Sequence, residues 1–482
     1  MSTSHRRILS AISLLGGSSA IGVGLSILRT KMVALVLGPA GIGLIGLMQS
    51  LVAAASALGG LGIANAAPRQ AAAELAERGE DGLAEVRHGL VRATLLAALV
   101  AGVGLFLLRA PVARLIVGDP AVAPVVGAMG LAVALTIAGG SITAYLAGIG
   151  KVGSVALVNL ASAVLTTIAA AVLVLTMGED GIVPYLLSIP LGVLLAGLWV
   201  ARPRGRKAPS AASQAGWTQA RRLIALGTPL MVGTFVALGS HLALRTILQH
   251  RLGIEELGVF QAAFTLSTTY VGFMFQAIAS DFYPRLSGVI TDPERAGALI
   301  DEQTETTLLL AGPLIIGLIG FAPLVLHILY AERFAGGATT LQWQVLADIL
   351  RIASWPLGYA LLASARNRLY LGFEILAAAA LAGSAFLLVS SMGIVAGGLA
   401  FVVSNGLYLV AVAVTQRAGG KLPWTTRTMA LFFALLGLAG LVLALARVSA
   451  MAGYVAGLGI AALWGLGALR RLRGLLARKQ AA

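Results

Sequence analysis

The sequence predicts an all-α integral membrane protein with about fourteen transmembrane helices, arranged as two pseudo-symmetric six-helix lobes plus two C-terminal helices. Hydrophobic residues make up 58% of the 482-residue chain, charged residues make up only 11%, and the mean hydropathy is +0.93. A soluble domain carries about 25% charged residues. Apolar runs of about 20 residues, the length that crosses a bilayer as a helix, recur along the whole chain. A pattern in the first half also returns in the second half.

The apolar runs follow one another with only short polar segments between them. They lie at residues 8–37, 41–66, 88–109, 121–149, 152–176, 182–201, 223–250, 256–283, 304–330, 338–364, 370–389, 394–416, 428–446 and 451–469. The polar segment 202–222 is the most basic and divides the chain near its middle. The predicted regions are an N-terminal lobe (1–201), a cytoplasmic basic linker (202–222), a C-terminal lobe (223–416), two additional helices (428–469) and a basic cytoplasmic tail (470–482).

The distribution of positive charge predicts the orientation in the membrane. On the side that holds both termini, Arg and Lys residues outside the spans number 24, against 5 on the opposite side. Cytoplasmic loops carry such an excess, so both termini are expected in the cytoplasm. The net charge of +15 is therefore explained by topology, and nucleic acid is not expected as a partner.

Three short patterns support a duplication. Leu37-Gly38-x4-Gly43 recurs as Leu252-Gly253-x4-Gly258, which lies 215 residues later. Pro68-Arg69 recurs as Pro284-Arg285, and Ala144-x-Leu146-Ala147 as Ala360-x-Leu362-Ala363, both 216 residues later. Six spans per repeat preserve the orientation, which favours two parallel repeats, a common transporter plan. The last two spans lie outside this repeat.

Arg29 and Lys31 lie in the first apolar span without an acid beside them. A charge at bilayer depth costs about 2.5–3.5 kcal/mol on insertion scales, so an anion from elsewhere is expected. The duplication adds Arg245, which precedes the repeated Leu-Gly turn as Arg29 and Lys31 precede the first. We expect all three to line a central cavity between the lobes. Snorkelling to the outer interface is the alternative.

The tenth span contains Asp348 and Arg351 on one helical face. The two residues form either a local ion pair or a gate, and Arg351 is also a candidate substrate ligand. Asp281 and Glu374 are further candidates for gating or coupling, although both lie near the cytoplasmic end of a span, where an acid is ordinary. No acid lies in the core of the first six spans, which favours an anionic substrate, such as a phosphate, over a cation.

Catalytic function is not expected. The sequence has no phosphate-binding Gly-rich loop ending in Lys-Ser/Thr and no nucleophile signature, and its five histidines are scattered without metal-ligand spacing. The chain has no cysteine. We therefore predict a protein that is not an enzyme and that needs neither a cofactor nor a metal.

The sequence resembles the O-antigen and related lipid-linked-oligosaccharide flippases of the multidrug/oligosaccharidyl-lipid/polysaccharide (MOP) exporter superfamily. The Gly-Pro-Ala-Gly turn and the Trp-Gln-x-x-x-Asp stretch are the more specific matches. The matching residues are Lys31, Leu37-Gly38-Pro39-Ala40-Gly41-Ile42-Gly43, Gln49, Gly62-Ile63-Ala64-Asn65, Arg245, Glu256-Leu257-Gly258-Val259-Phe260-Gln261, Tyr270, Trp343-Gln344-Val345-Leu346-Ala347-Asp348, Arg368-Leu369-Tyr370 and Glu374. The last two spans have no counterpart in the shorter twelve-span members of this group, whereas a fourteen-span plan occurs in the related peptidoglycan-precursor flippases.

The resemblance implies a two-lobed, V-shaped bundle, similar to that of the multidrug (MATE) exporters, in a bacterial inner membrane. It implies transfer of an undecaprenyl-diphosphate-linked oligosaccharide to the outer leaflet by alternating access, with the polyprenyl tail in the lipid. A polysaccharide polymerase and chain-length machinery are candidate partners.

On this interpretation, Arg29, Lys31, Arg245 and Arg351 bind the diphosphate. Candidate sugar contacts are Gln49, Trp343, Trp355 and Tyr359, for which packing is the alternative role. Three other functions stay open: a cation-coupled multidrug antiporter, a peptidoglycan-precursor flippase and a non-transporting membrane scaffold. The scaffold gives no reason for charges inside the spans.

Overall fold

A computed structural model describes the backbone of residues 3–202, 214–418 and 423–481, and the side chains of 21–202, 216–269, 271–272, 282–417, 423–471 and 473. These residues form fifteen α-helices joined by short turns, and no strand occurs among them. The helices are α1 (Thr3–Gly59), α2 (Ile63–Leu107), α3 (Arg109–Ile116), α4 (Ala123–Gly148), α5 (Val152–Met177), α6 (Ile182–Val200), α7 (Gln214–Leu252), α8 (Ile254–Val289), α9 (Pro293–Gly320), α10 (Ala322–Leu329), α11 (Ala338–Ala363), α12 (Asn367–Met392), α13 (Val395–Ala418), α14 (Thr426–Val448) and α15 (Ala450–Ala481). The all-helical prediction is confirmed.

The repeated Leu-Gly turns share one backbone conformation. Gly38 bends α1 with φ 62° and ψ −167°, and Gly253 separates α7 from α8 with φ 88° and ψ 175°. A positive φ is strained for residues with a Cβ atom, which explains glycine at both positions. Pro39 follows the first of these glycines, and a second helical segment starts there after the kink.

Helix boundaries repeat at the same offset as the sequence patterns. The helices α4 and α11 contain 26 residues each and begin 215 residues apart, and so do α5 and α12. Gly178 and Gly393, which end α5 and α12, have φ values of 57° and 56°. Two repeats with the same helix lengths and turns are what a duplicated chain produces, and the prediction of pseudo-symmetric halves is confirmed.

Eleven helical segments of the described residues are long and apolar enough to cross a membrane. Two of these segments contain a break that can divide them into two crossings: residues 21–59 bend at Gly38, and residues 152–200 are interrupted after Met177. Many side chains of α8 lie outside the described residues. The total of fourteen transmembrane helices stays a prediction.

The polar segments at 68–87 and 285–303 are mostly helical, whereas their polarity predicts breaks between helices. The helix α2 continues from Ile63 to Leu107, with a kink at Gly79. Ala, Glu and Arg fill this segment and favour helix, so polarity ends the membrane span without ending the helix. Its polar half also packs against α7, which buries Glu74 to 5% exposure.

The chain divides into two compact units, Met1–His250 and Arg251–Ala482. The first unit contains α7, the helix that the duplication assigns to the second repeat. Residues 203–213 of the predicted linker lie outside the described residues, and α7 begins at Gln214, before the predicted linker ends. The basic tail also lies mostly outside the described side chains.

In the second unit, the two additional helices pack closely on α9. A Cβ atom at Gly312 would lie 2.1 Å from the indole nitrogen of Trp464, and one at Gly320 would lie 2.8 Å from the Cα atom of Gly457. Such small residues allow membrane helices to approach closely. The buried carboxylate of Glu305 contacts the guanidinium group of Arg471. Arg427 of α14 contacts the same carboxylate at 3.6 Å, so both α14 and α15 are part of the packed second unit.

Candidate functional site

Arg29 is fixed inside the first unit by neutral hydroxyl groups. Its Nη1 donates to the Thr166 hydroxyl at 2.6 Å, and its Nη2 lies 3.5 Å from the Ser26 hydroxyl. Thr166 is 3% exposed and its hydroxyl donates to the Ser162 carbonyl at 2.8 Å. Among the described residues, no carboxylate lies within 4.0 Å of the Arg29 guanidinium group. The charge is therefore held in position without a counter-ion from these residues.

Arg29 and Arg245 occupy similar depths in their helices. Arg29 precedes Gly38 by nine residues and Arg245 precedes Gly253 by eight, which corresponds to about 13 Å and about 12 Å along a helix. Arg245 is 3% exposed and donates from Nη1 to the His241 carbonyl at 3.0 Å. Lys31 is half-buried. All three bases belong to the first unit.

A polar cluster in the second unit joins α11, α12 and α13. Tyr370, one turn before Glu374 on α12, and Arg351 of α11 both lie within electrostatic range of the Glu374 carboxylate. Tyr408, on α13, also lies within electrostatic range of Glu374. The structure thus brings together two residues predicted from sequence, Arg351 and Glu374. Sequence reasoning missed Tyr408, although a tyrosine inside an apolar span could have signalled it.

Asp348 has a buried hydroxyl partner on another helix. The Ser267 hydroxyl, on α8, donates to Asp348 Oδ2 at 2.8 Å, and the two residues are 4% and 5% exposed. The sequence gives no signal for Ser267, because a serine in a membrane helix usually bonds its own backbone. The Asp348–Arg351 ion pair stays a prediction. The side chain of Asp281 lies outside the described residues.

The candidate sugar contacts are in different surroundings. The ring centroids of Trp355 and Tyr359 lie 4.8 Å apart, and those of Tyr283 and Tyr359 lie 5.5 Å apart. Trp343 packs its Cβ atom against α13 at Gly398. Gln49, in contrast, borders a cavity of the first unit.

This cavity has a volume of about 330 Å³ and lies between the second half of α1, α4 and α6. Its walls are mainly aliphatic, and Gln49 and Thr136 are the polar side chains that border it. Among the described residues, no group of three His, Asp or Glu side chains could hold a metal ion.

A match to a family model shows which protein family this chain belongs to. Residues 32–339 match the family described as polysaccharide biosynthesis protein. The chain belongs to this family. No curated protein matches the sequence.

Solved structures share the fold at low sequence identity. A structure titled "Lipid II flippase MurJ, inward closed conformation" superimposes with a TM-score of 0.73 at 10% identity, covering 95% of this chain and 99% of that one. An inward-facing MATE multidrug-resistance transporter of the MOP superfamily gives 0.66 at 15% identity, covering 84% and 94%. A MOP transporter from Pyrococcus furiosus, whose title reports reverse polarity of its binding pocket, gives 0.60 at 16% identity, covering 87% and 96%.

The matched family and the apolar helices together describe a multi-pass membrane protein of a polysaccharide biosynthesis family, and its fold is that of the MurJ and MATE structures. The predicted MATE-like fold is therefore confirmed.

Proposed function

We propose that this protein moves an undecaprenyl-diphosphate-linked oligosaccharide, a repeat unit of O-antigen or a related polysaccharide, from the cytoplasmic to the periplasmic leaflet by alternating access. The single observation that carries the proposal is the guanidinium group of Arg29. It is held at bilayer depth by Thr166 and Ser26, which are both neutral. A charge in this environment needs an anion, and polysaccharide biosynthesis uses lipid-linked sugars whose link is an anionic phosphate.

Arg29 is suited to this ligand by its geometry. A guanidinium group presents five N–H donors in a planar fork that matches phosphate oxygens, and the bonds to Thr166 and Ser26 leave donors available. Lys31 and Arg245 lie on α1 and α7 near the same depth and supply further positive charge. We assign the diphosphate to these three residues, with Arg351 of the second unit as a further candidate.

The second unit supplies candidates for coupling and for sugar contact. Glu374 and Asp348 are acidic groups with tyrosine and serine hydroxyl partners, so either could carry a proton or open a gate. Asp281 stays a candidate from the sequence. Trp355 and Tyr359 form an aromatic pair that suits sugar stacking.

The placement in the cell follows from the same proposal. The excess of positive charge on the side of the termini puts both termini in the cytoplasm, and the substrate puts the protein in a bacterial inner membrane. A polysaccharide polymerase and chain-length machinery would use the product at the outer face, so they are the proposed partners.

One alternative has a specific observation in its favour. The MurJ structure covers 95% of this chain, against 84% for the MATE transporter, so a peptidoglycan-precursor flippase is the second candidate. The two substrates share a lipid diphosphate, and they differ in the sugar. The cation-coupled multidrug antiporter is less favoured, because acids are absent from the core of the first six spans.

Complementation tests the substrate. The gene is expressed in cells that lack their O-antigen flippase, and separately in cells depleted of their peptidoglycan-precursor flippase. We expect surface polysaccharide to return in the first strain and the lipid-linked repeat unit to disappear from the cytoplasmic face. Rescue of the second strain alone would assign the peptidoglycan precursor instead.

Single substitutions test the basic site in the same cells. Arg29→Gln, Lys31→Gln and Arg245→Gln should each lower transport by about 10–100-fold, the range for losing a hydrogen bond to a charged group. Arg114→Gln is the matched control, because Arg114 is exposed on α3, outside the predicted spans. Full activity in all three variants, at equal expression, would overturn the basic site.

A further inference from the structure

The cavity of the first unit lies next to the helix that supports Arg29. Its volume of about 330 Å³ falls within the range of small-molecule sites. Leu186, Pro190 and Val193 of α6 line it. These residues recur every three or four positions and so share one face of α6.

The cavity has too few polar side chains to bind a sugar. Of its two polar side chains, Thr136 already donates its hydroxyl proton to the Ala132 carbonyl of its own helix, at 2.7 Å. Gln49 has no hydrogen-bond partner within the part of the chain that the structure describes. A sugar would leave most of its hydroxyl groups unpaired there, at a high desolvation cost, whereas a hydrocarbon would not. The occupant that fits is a hydrocarbon chain.

Arg29 and this cavity are connected through α6. The methyl group of Thr166, whose hydroxyl holds Arg29, lies 3.2 Å from the position of a Cβ atom at Gly192. Gly192 lies between Pro190 and Val193, which line the cavity. The residue that holds Arg29 and the wall of the apolar cavity therefore lie on two helices in direct contact, α5 and α6.

We propose that this cavity is a binding site for the isoprenyl units next to the diphosphate of the substrate, so that only the distal part of the polyprenyl chain stays in the bilayer. A cation beside an apolar cavity matches the junction between a phosphate and a hydrocarbon chain. The inference rests on the proposed function, because it assigns the lipid part of the same substrate.

The chain offers a substitution that fills the cavity without disturbing its walls. Gly140 lines the cavity, and a Cβ atom at this position would meet no atom within 4 Å. Gly140→Leu therefore projects into the open space, and leucine also favours helix over glycine. The matched control is Gly104→Leu: Gly104 lies inside α2, has equally open space, and does not line the cavity.

The probe is farnesyl diphosphate that carries a diazirine on its second isoprenyl unit, applied to the purified full-length protein in detergent. In the wild type, we expect photolabelling of peptides from α1, α4 and α6. Gly140→Leu should reduce labelling at least about tenfold, since excluding two methylene groups from an apolar site costs about that factor in affinity. Gly104→Leu should label as the wild type does.

Three outcomes would overturn the inference: labelling outside these helices, unchanged labelling in Gly140→Leu, or equal labelling by a phosphatidylcholine with a diazirine in its acyl chain. The last outcome would identify a general lipid site. Failure of the proposed function is distinguishable, because it appears in the complementation assay and in Arg29→Gln. If Arg29→Gln transported at the wild-type rate and the cavity were still labelled, the assignment of the diphosphate to Arg29 would be rejected. The assignment of the isoprenyl units to the cavity would stand.

Discussion

Glu74 is expected to hold the cytoplasmic half of α2 against the start of α7. Its Oε1 accepts hydrogen bonds from the Gln70 and Gln219 side-chain amides, at 3.3 and 3.1 Å. Both amides and the carboxylate are at most 7% exposed. Arg222 adds a contact to the same oxygen at 3.1 Å, from a side chain that is 59% exposed. Glu74→Gln keeps the shape of the side chain and removes its charge.

The expected cost follows from these bonds. A hydrogen bond to a charged group contributes about 1.5–3 kcal/mol, and one between neutral groups about 0.5–1.5 kcal/mol. The two buried bonds therefore lose about 1 kcal/mol each. The Arg222 contact is largely exposed to solvent and adds at most about 1 kcal/mol. We expect Glu74→Gln to destabilise the packing of α7 on α2 by about 2–3 kcal/mol.

Hydrogen exchange of the amides in the first turns of α7 measures this change directly. If local opening controls exchange, it should accelerate by about 30–150-fold in Glu74→Gln, which corresponds to the same free energy. Glu77→Gln is the matched control, because Glu77 is an exposed acid of the same helix, and it should change the exchange less than about threefold. Equal exchange in Glu74→Gln and Glu77→Gln would refute the assignment of a stabilising role to Glu74.

Three further predictions concern other contacts. Thr166→Val removes the acceptor that positions Arg29 and should raise the apparent KM for transport about tenfold. The control is Thr167→Val, because the Thr167 hydroxyl bonds its own helix, and it should leave the KM unchanged. Equal KM values in the two variants would contradict the positioning role of Thr166. Glu305→Leu removes the buried partner of Arg427 and Arg471 and should lower the free energy of unfolding by about 3 kcal/mol. Thermal unfolding at equal lipid content measures this change, and an unchanged midpoint temperature would contradict it. The hydrogen bond from Arg78 holds the pKa of Glu85 below its ordinary value, so this pair stabilises α2 above the unfolded pKa and the effect is lost as the pH falls through the folded pKa. The protection of α2 amides, that is, the intrinsic exchange rate at each pH divided by the observed rate, should therefore fall more steeply on acidification in the wild type than in Glu85→Gln, and parallel protection profiles would contradict the pairing.

Several features could be predicted because they depend on local composition. Apolar runs of bilayer length require membrane helices, since an unpaired backbone amide in lipid is costly. The glycines at 38 and 253 indicate a repeated turn, because a positive φ strains other residues. The cost of a charge in lipid singles out Arg29. Each of these signals is contained in a short window of sequence.

Other features depend on contacts between distant residues. Thr166 lies 137 residues from Arg29, and nothing near either position shows that they are partners. Glu74 looks like a loop acid in the sequence, yet it is buried by α7, which starts 140 residues later. The cavity beside α6 also has no local signal, since its aliphatic walls resemble any other span.

The sequence by itself thus determined the membrane class, the duplication and the presence of costly intramembrane charges. Only the tertiary structure decided which hydroxyl groups hold Arg29, where Glu74 is buried and where an apolar cavity lies beside the cation. The physical reason is that solvent and backbone preferences act on each short segment separately. Partners and cavities arise only when helix faces far apart in the chain pack together.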